Sequence, residues 1–157
     1  MTDDLKEVTR QMDDDLRRAC AAALIGLARS DDYRDRADAG RALASFAELP
    51  EASGPLLKLV LDADDTFVTL TTAEALLRRK DTAGLAIVAS ALAVTASDHE
   101  DWIHTAAVDV FGVLAADRDS AAALCEDLIR STDGAPSRGA GRLLDILNAI
   151  DPVLRPA

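Results

Sequence analysis

The chain holds only two histidines, two cysteines (Cys20 and Cys125), and 17 Lys plus Arg against 28 Asp plus Glu. Each shortage removes a class of function. Both cysteines sit in Ala/Leu-rich helical patterns and read as small buried apolar residues with free thiols, the usage of a reducing compartment. A disulfide framework is unnecessary, because a domain of 157 residues buries roughly two thirds of its unfolded surface unaided. The N-terminal MTDDLKEVTR is acidic where a secretory signal is basic, and no apolar core follows it directly. The longest uncharged run, Thr82 to Ser97, falls short of the roughly 20 apolar residues of a membrane span and is interrupted by Thr and Ser. The expectation is a cytoplasmic protein with no membrane segment.

The scarcity of cations leaves a formal net charge of -11. Phosphate binding draws its affinity from clustered Lys and Arg that release counterions, so nucleic acid is disfavoured as a partner. The runs Arg17-Arg18 and Arg78-Arg79-Lys80 are too short to reverse that balance and read as solvated helix surface.

The two histidines fall in one stretch, SDHEDWIHTAAVD, from Ser97 to Asp109. A helical zinc site of the protease kind needs them at i and i+4. His99 and His104 stand at i and i+5, which turns the second imidazole roughly 140° from the first at 100° per residue. They diverge, and no metal or other cofactor is predicted. Asp62 to Thr66 fails as a calcium loop, since the positions that need Gly and Glu hold Phe67 and Ala73. GAPSRGAG at Gly134 to Gly141 lacks the Lys and Ser/Thr of a phosphate loop. No Ser-His-acid set can be nominated from two closely placed histidines, so no catalytic residue is assigned.

What the sequence does contain is a repeat. GRAL at Gly40 returns as AEAL at Ala73, AVDV at Ala107 and GRLL at Gly141, each a small residue followed three positions later by an aliphatic one. Tyr33, Phe67 and Trp102 precede the first three at a similar spacing. The small residues predict close packing between successive first helices, and the aromatics read as packing between units. Each period reads as two helices with a 3.6-residue apolar stripe, the first broken at LPEASG, the second at Lys80-Asp81 and the third around Asp117 to Asp119. Asp31, Asp32, Asp64, Asp65, Asp98 and Asp117 stand where helices should begin and serve as caps. Ahead of the repeats, Leu5, Val8, Met12, Leu16, Cys20, Ala23, Leu24 and Leu27 keep one stripe and predict a capping helix or two short ones. A last helix carries Leu143, Leu144, Leu147 and Ile150 before Pro152 and Pro156. The fold class is all-α. The units run 1–30 as N-terminal cap, 31–65, 66–97 and 98–132 as repeats, and 133–157 as a C-terminal half-repeat.

RDRADAGRALASFAELPEASGPLLKLVLDADD resembles a HEAT repeat, and DTFVTLTTAEALLRRKDTAGLAIVASALA is similar to the next unit of such an array. The resemblance spans about residues 31 to 149, with a longer turn at Leu49-Pro50 than the pattern has. It implies a short right-handed α-solenoid of antiparallel hairpins that binds other macromolecules and performs no chemistry itself. HEAT-like enzymes that hold iron spread several His-Glu pairs over their repeats, and this chain has His99-Glu100 alone. Its Ala-rich, Arg-over-Lys usage is that of a high-GC bacterial gene.

One helix stands apart. Thr82 to Ser97 carries no charge, and Leu85, Val88 and Leu92 form one face while Ile87, Ala91 and Val94 form the opposite one. Either neighbouring units cover both faces, or the second face waits for a partner or another copy of the chain. Ile87, Ala91, Val94 and Trp102 are the candidate partner-binding residues. The function expected is a non-enzymatic module that binds a protein partner on the concave surface of its second helices or on its acidic surface, a basic partner given that charge, with an inhibitor or immunity-type protein as the sharper form. A homodimer stays open. The alternative is a HEAT-like enzyme such as a cofactor lyase.

Overall fold

Aspartate begins several of the helices. The computed structural model describes residues 2–95 and 97–155, the side chains of residues 2, 3 and 97 excepted. These residues form α1 (Thr2–Leu27), α2 (Tyr33–Leu43), a short 3₁₀ turn (Ala44–Phe46), α3 (Pro50–Val60), α4 (Thr66–Arg78), α5 (Thr82–Val94), α6 (Ser97–Phe111), α7 (Ala115–Ser131) and α8 (Ala135–Ala149). Asp32, Asp65 and Asp81 accept from the N–H groups of Arg34, Phe67 and Gly84 at the starts of α2, α4 and α5. Each satisfies an orphan donor and sets a negative charge at the positive end of a helix dipole. The described residues are helical throughout apart from their connections, as the all-α reading requires.

The helices make two layers. In the first, α2, α4 and α6 lie side by side and start at the same end. Tyr33 and Phe67 meet edge to face there with ring centroids 6.2 Å apart, and His99 at the head of α6 reaches the chain just before α4. In the second, α3 packs on α5, and α8 lies against both α5 and α7. The α7–α8 pair is antiparallel, since Arg118 near the start of α7 donates to the Ile150 carbonyl and Ser137 near the start of α8 donates to that of Ile129. Between the layers sits an aliphatic core in which Leu43, Leu56, Leu76, Leu85, Leu92 and Leu143 are fully buried. The apolar stripes of single hairpins thus become one continuous interior.

The small-residue ladder holds for three rungs and fails at the fourth. A Cβ on Gly40 would strike the Thr72 side chain, and Ala73 and Ala107 are fully buried. At Gly141, by contrast, a Cβ would meet nothing within 4 Å. The close approach belongs to Gly139, whose Cβ would run into the Ala89 carbonyl of α5. The reason is topological: α8 lies on α5 and α7 and touches α6 only marginally, so a different face of it is pressed.

Local breaks also differ from the sequence expectation. PEASG does not interrupt a helix: α3 starts with Pro50 in its first turn and carries Pro55 inside it, the lost hydrogen bond being offset by burial of Ala52, Leu56, Leu59 and Val60. In the third unit the turn falls at residues 112–114 and leaves Asp117 in the first turn of α7. The C-terminal segment fixes it there, with the N–H groups of Val153 and Leu154 donating to Gly112 and Val113 and the Leu154 carbonyl accepting from Ala115. The N-terminal stripe forms one helix, yet only its second half caps the body, through Ala21, Leu24 and Ile25 and through Arg17, which pairs with Glu48 and lies over the Phe46 ring. Leu5, Val8, Met12 and Leu16 are exposed and lie outside the packed core. Cys20, read as buried, is exposed, while Cys125 is buried and its thiol is pushed up to about 12 by that burial.

The two glycines of α8 separate packing from propensity. Gly139→Ala should force α8 off Ala89 and cost about 1 to 3 kcal/mol. Gly141→Ala, which meets no neighbour, should instead gain about 0.5 to 1 kcal/mol by stiffening the unfolded chain. Thermal melts of the two variants should therefore shift in opposite directions. Equal shifts would place α8 wrongly.

Candidate interaction surface

The end of the layer where α2, α4 and α6 begin is organised by one guanidinium. Arg36, early in α2, is buried, and its Nε and Nη2 donate to the two carboxylate oxygens of Asp62 at 2.8 and 3.1 Å. Its Nη1 donates to the carbonyls of Ser30 and Asp31. Asp62 also accepts from the N–H groups of Asp64 and Asp65. The Asp62 carbonyl accepts from His99 Nε2 at 2.9 Å, which fixes that nitrogen as the protonated one because a carbonyl cannot donate. The chain leading into α2, α4 and α6 is thereby drawn to one point.

Charge follows the geometry. Burial pushes the Asp62 carboxyl up, but hydrogen bonds from Arg36 and from the Asp65 and Asp64 N–H groups, with the Arg36 charge, outweigh it and hold the group below its ordinary 3.8. The hydrogen bond to Asp62 raises Arg36 in turn; burial opposes this, and the charges of Asp62, Asp64 and Asp65 add to the rise.

Tyr33 and Phe67 open α2 and α4 at this end and Trp102 lies in the second turn of α6, the three rings being 36%, 46% and 37% exposed. Asp31, Asp32, Asp64, Asp98 and Asp101, next to the rings in sequence, lie at the surface. The rings pack between units only in part: Tyr33 and Phe67 touch, and each keeps a third or more of its surface in water. The Arg34 guanidinium sits over the Tyr33 ring at 5.2 Å. That ring face is thus already covered by a cation of the same chain.

The structure divides the four residues nominated from sequence. Ile87 and Ala91 are buried at 5% and 0% exposure, because α5 is flanked by α3, α4, α7 and α8 along that part of its length. Neighbouring helices cover Ile87 and Ala91 of its second face. Val94 and Trp102 are exposed. Val94 ends α5 and lies three residues ahead of α6, at the ring-bearing end. Sequence reasoning passed over Tyr33 and Phe67 as surface groups. Their signal was position: a first-turn residue one or two places after an N-cap stands at the rim of a layer, where no further helix can cover it.

Among the described residues no group of three or more His, Cys, Asp or Glu side chains is arranged to hold a metal ion. No described helix is long and apolar enough to cross a membrane.

The Asp62 carboxylate titrates lower in the folded chain than the ordinary 3.8. Its contribution is therefore complete above that pH and is lost as the pH falls through the folded value. Asp62→Ala should cost about 3 kcal/mol at neutral pH, since it leaves the Arg36 charge buried without its counterion. It should also flatten the acid limb of the stability curve below pH 3.8, measured by circular-dichroism melts across pH. An acid limb unchanged by the substitution would remove Asp62 as the organising group. The chain matches no family model, no curated protein and no solved structure, so the reading of this surface rests on its geometry.

Proposed function

We propose that the chain is a non-enzymatic interaction module that captures a basic segment of a partner protein on the acidic, ring-bearing end of the α2–α4–α6 layer. The observation that carries this is the row of Tyr33, Phe67 and Trp102, each over a third exposed, among surface aspartates. Aromatic rings left in water on an acid-rich protein match the chemistry of Lys and Arg side chains, which take both carboxylate pairing and cation–π contact. The net charge of -11 would steer a basic partner toward the molecule before it docks. Inhibition of a basic toxin or nuclease is the sharper form of this proposal, and Val94 and Trp102 stay within its surface while Ile87 and Ala91 leave it.

The stacking of α2, α4 and α6, with α3 and α5 behind, supports a HEAT-like solenoid as the framework. In such an array α7 would stack on α5; here α8 takes that place and α7 packs on α8, so the third unit departs from the pattern.

Trp102 is the single tryptophan and reports directly on the surface. An Arg-rich peptide should change its emission saturably at 0.1 M salt and far less at 1 M, where the Debye length falls from about 10 Å to about 3 Å. A Glu-rich peptide should leave it unchanged. Phe67→Ala should weaken the Arg-rich peptide about 5-fold through loss of one ring face. Unchanged emission, or full affinity in both Phe67→Ala and Asp101→Asn, would sink the proposal.

A further inference from the structure

Between the end of α1 and one face of α3 lies a cavity of about 260 Å³. Gly54, Pro55, Lys58 and Leu59 recur at helical spacing, so they face the same way from α3, toward Ile25, Ala28 and Arg29. Ile25, Ala28, Pro55 and Leu59 are buried or half-buried and give the cavity an aliphatic floor. Arg29, Gly54 and Lys58 are exposed and stand at its mouth. The gap opens where small residues meet, since Ala28 carries one methyl and Gly54 no side chain at all. Nothing in the backbone requires Gly54: its φ is not positive, and a Cβ built on it would meet nothing within 4 Å. A glycine inside a helix is unfavourable by itself, and what this one leaves is an open mouth.

We propose that this cavity binds a small amphipathic anion, a medium-length aliphatic carboxylate, with its chain on the aliphatic floor and its head group at Arg29 and Lys58. Charge selects the head group. In a chain of net charge -11, Arg17, Arg36, Arg79 and Lys80 are each matched with a carboxylate. Among the described residues neither Arg29 nor Lys58 has an anionic partner. The carboxylate in the lining, Asp62, takes neither of them, because Arg36 neutralises it and the Asp64 and Asp65 N–H groups fill its remaining acceptor sites. Two unpaired cations at the mouth of one cavity therefore invert the sign of the surrounding surface. That surface favours one negative charge over two, since its repulsion of a dianion is twice as strong. Size and lining select the rest of the molecule. The volume lies just below the roughly 300 to 1,000 Å³ of pockets that hold drug-sized ligands. Its floor offers no side-chain hydroxyl, amide or ring, which leaves burial of an apolar chain as the attraction.

Isothermal titration calorimetry with decanoate, at neutral pH and below its micelle concentration, should show saturable binding of one molecule per chain. Decanol, which has the same chain without the charge, should bind about 10-fold more weakly. Decyl phosphate should bind no more tightly than decanoate. Arg29→Gln combined with Lys58→Gln should weaken decanoate about 10-fold and leave decanol unchanged. Gly54→Leu should fill the cavity from its open side and abolish binding of both. Its melting temperature should equal or exceed that of the wild type, because the new side chain enters free space and replaces a helical glycine. Leu16→Gln, on the exposed face of α1, should leave binding unchanged. Absence of saturable decanoate binding, tighter binding of decyl phosphate, or undiminished binding in Gly54→Leu would each overturn the proposal. So would loss of binding in Leu16→Gln, which would move the apolar contact to α1. Full decanoate affinity in the double Gln variant with a lowered melting temperature would also overturn it, leaving the two cations to serve the C-terminal ends of α1 and α3 alone.

Discussion

The buried pair of Arg36 and Asp62 is the constraint on which the end of the first layer depends, where α2, α4 and α6 begin. Two well-packed apolar residues would hold α2 against α4 about as firmly, because desolvation consumes most of what a buried ion pair gains. They could not accept the Asp64 and Asp65 N–H groups or donate to the Ser30 and Asp31 carbonyls. The pair thus sets geometry more than it adds stability. It gathers the approaches to three helices whose first two turns carry Tyr33, Phe67 and Trp102, and a surface of rings and carboxylates follows from where those helices are made to start.

The sequence carried the parts of the fold that repeat. The offset that links Gly40, Ala73 and Ala107 lies in α2, α4 and α6, and the aspartates at helix starts include true caps at Asp32 and Asp65. What it did not carry is set by packing between distant segments. Nothing local distinguishes Gly139 from Gly141; only the placement of α8 against Ala89 makes one indispensable. The turn at residues 112–114 is held by Val153 and Leu154, some 40 residues later, so the acidic run from Asp117 looked like the break. Pro55 is tolerated because α3 buries Ala52, Leu56, Leu59 and Val60 around it, a gain that no local rule reveals.

The candidate surface was legible by residue type and illegible by exposure. An uncharged helix looks alike from sequence whether its second face is covered or open, and here α3, α4, α7 and α8 enclose Ile87 and Ala91. Conversely, a 3.6-residue stripe normally signals a buried face, yet that of α1 is turned outward from Leu5 to Leu16. The two surfaces left open differ in kind: one is acidic and aromatic, and the other is aliphatic.

Amide hydrogen exchange tests most directly whether the acidic aromatic end is the site of capture. With a saturating Arg-rich peptide, the account predicts slowed exchange confined to residues 31–35, 64–68 and 98–103, where the three helices of the first layer begin. Slowed exchange in the second layer alone, or none at those three segments under conditions where the peptide is bound, would contradict it.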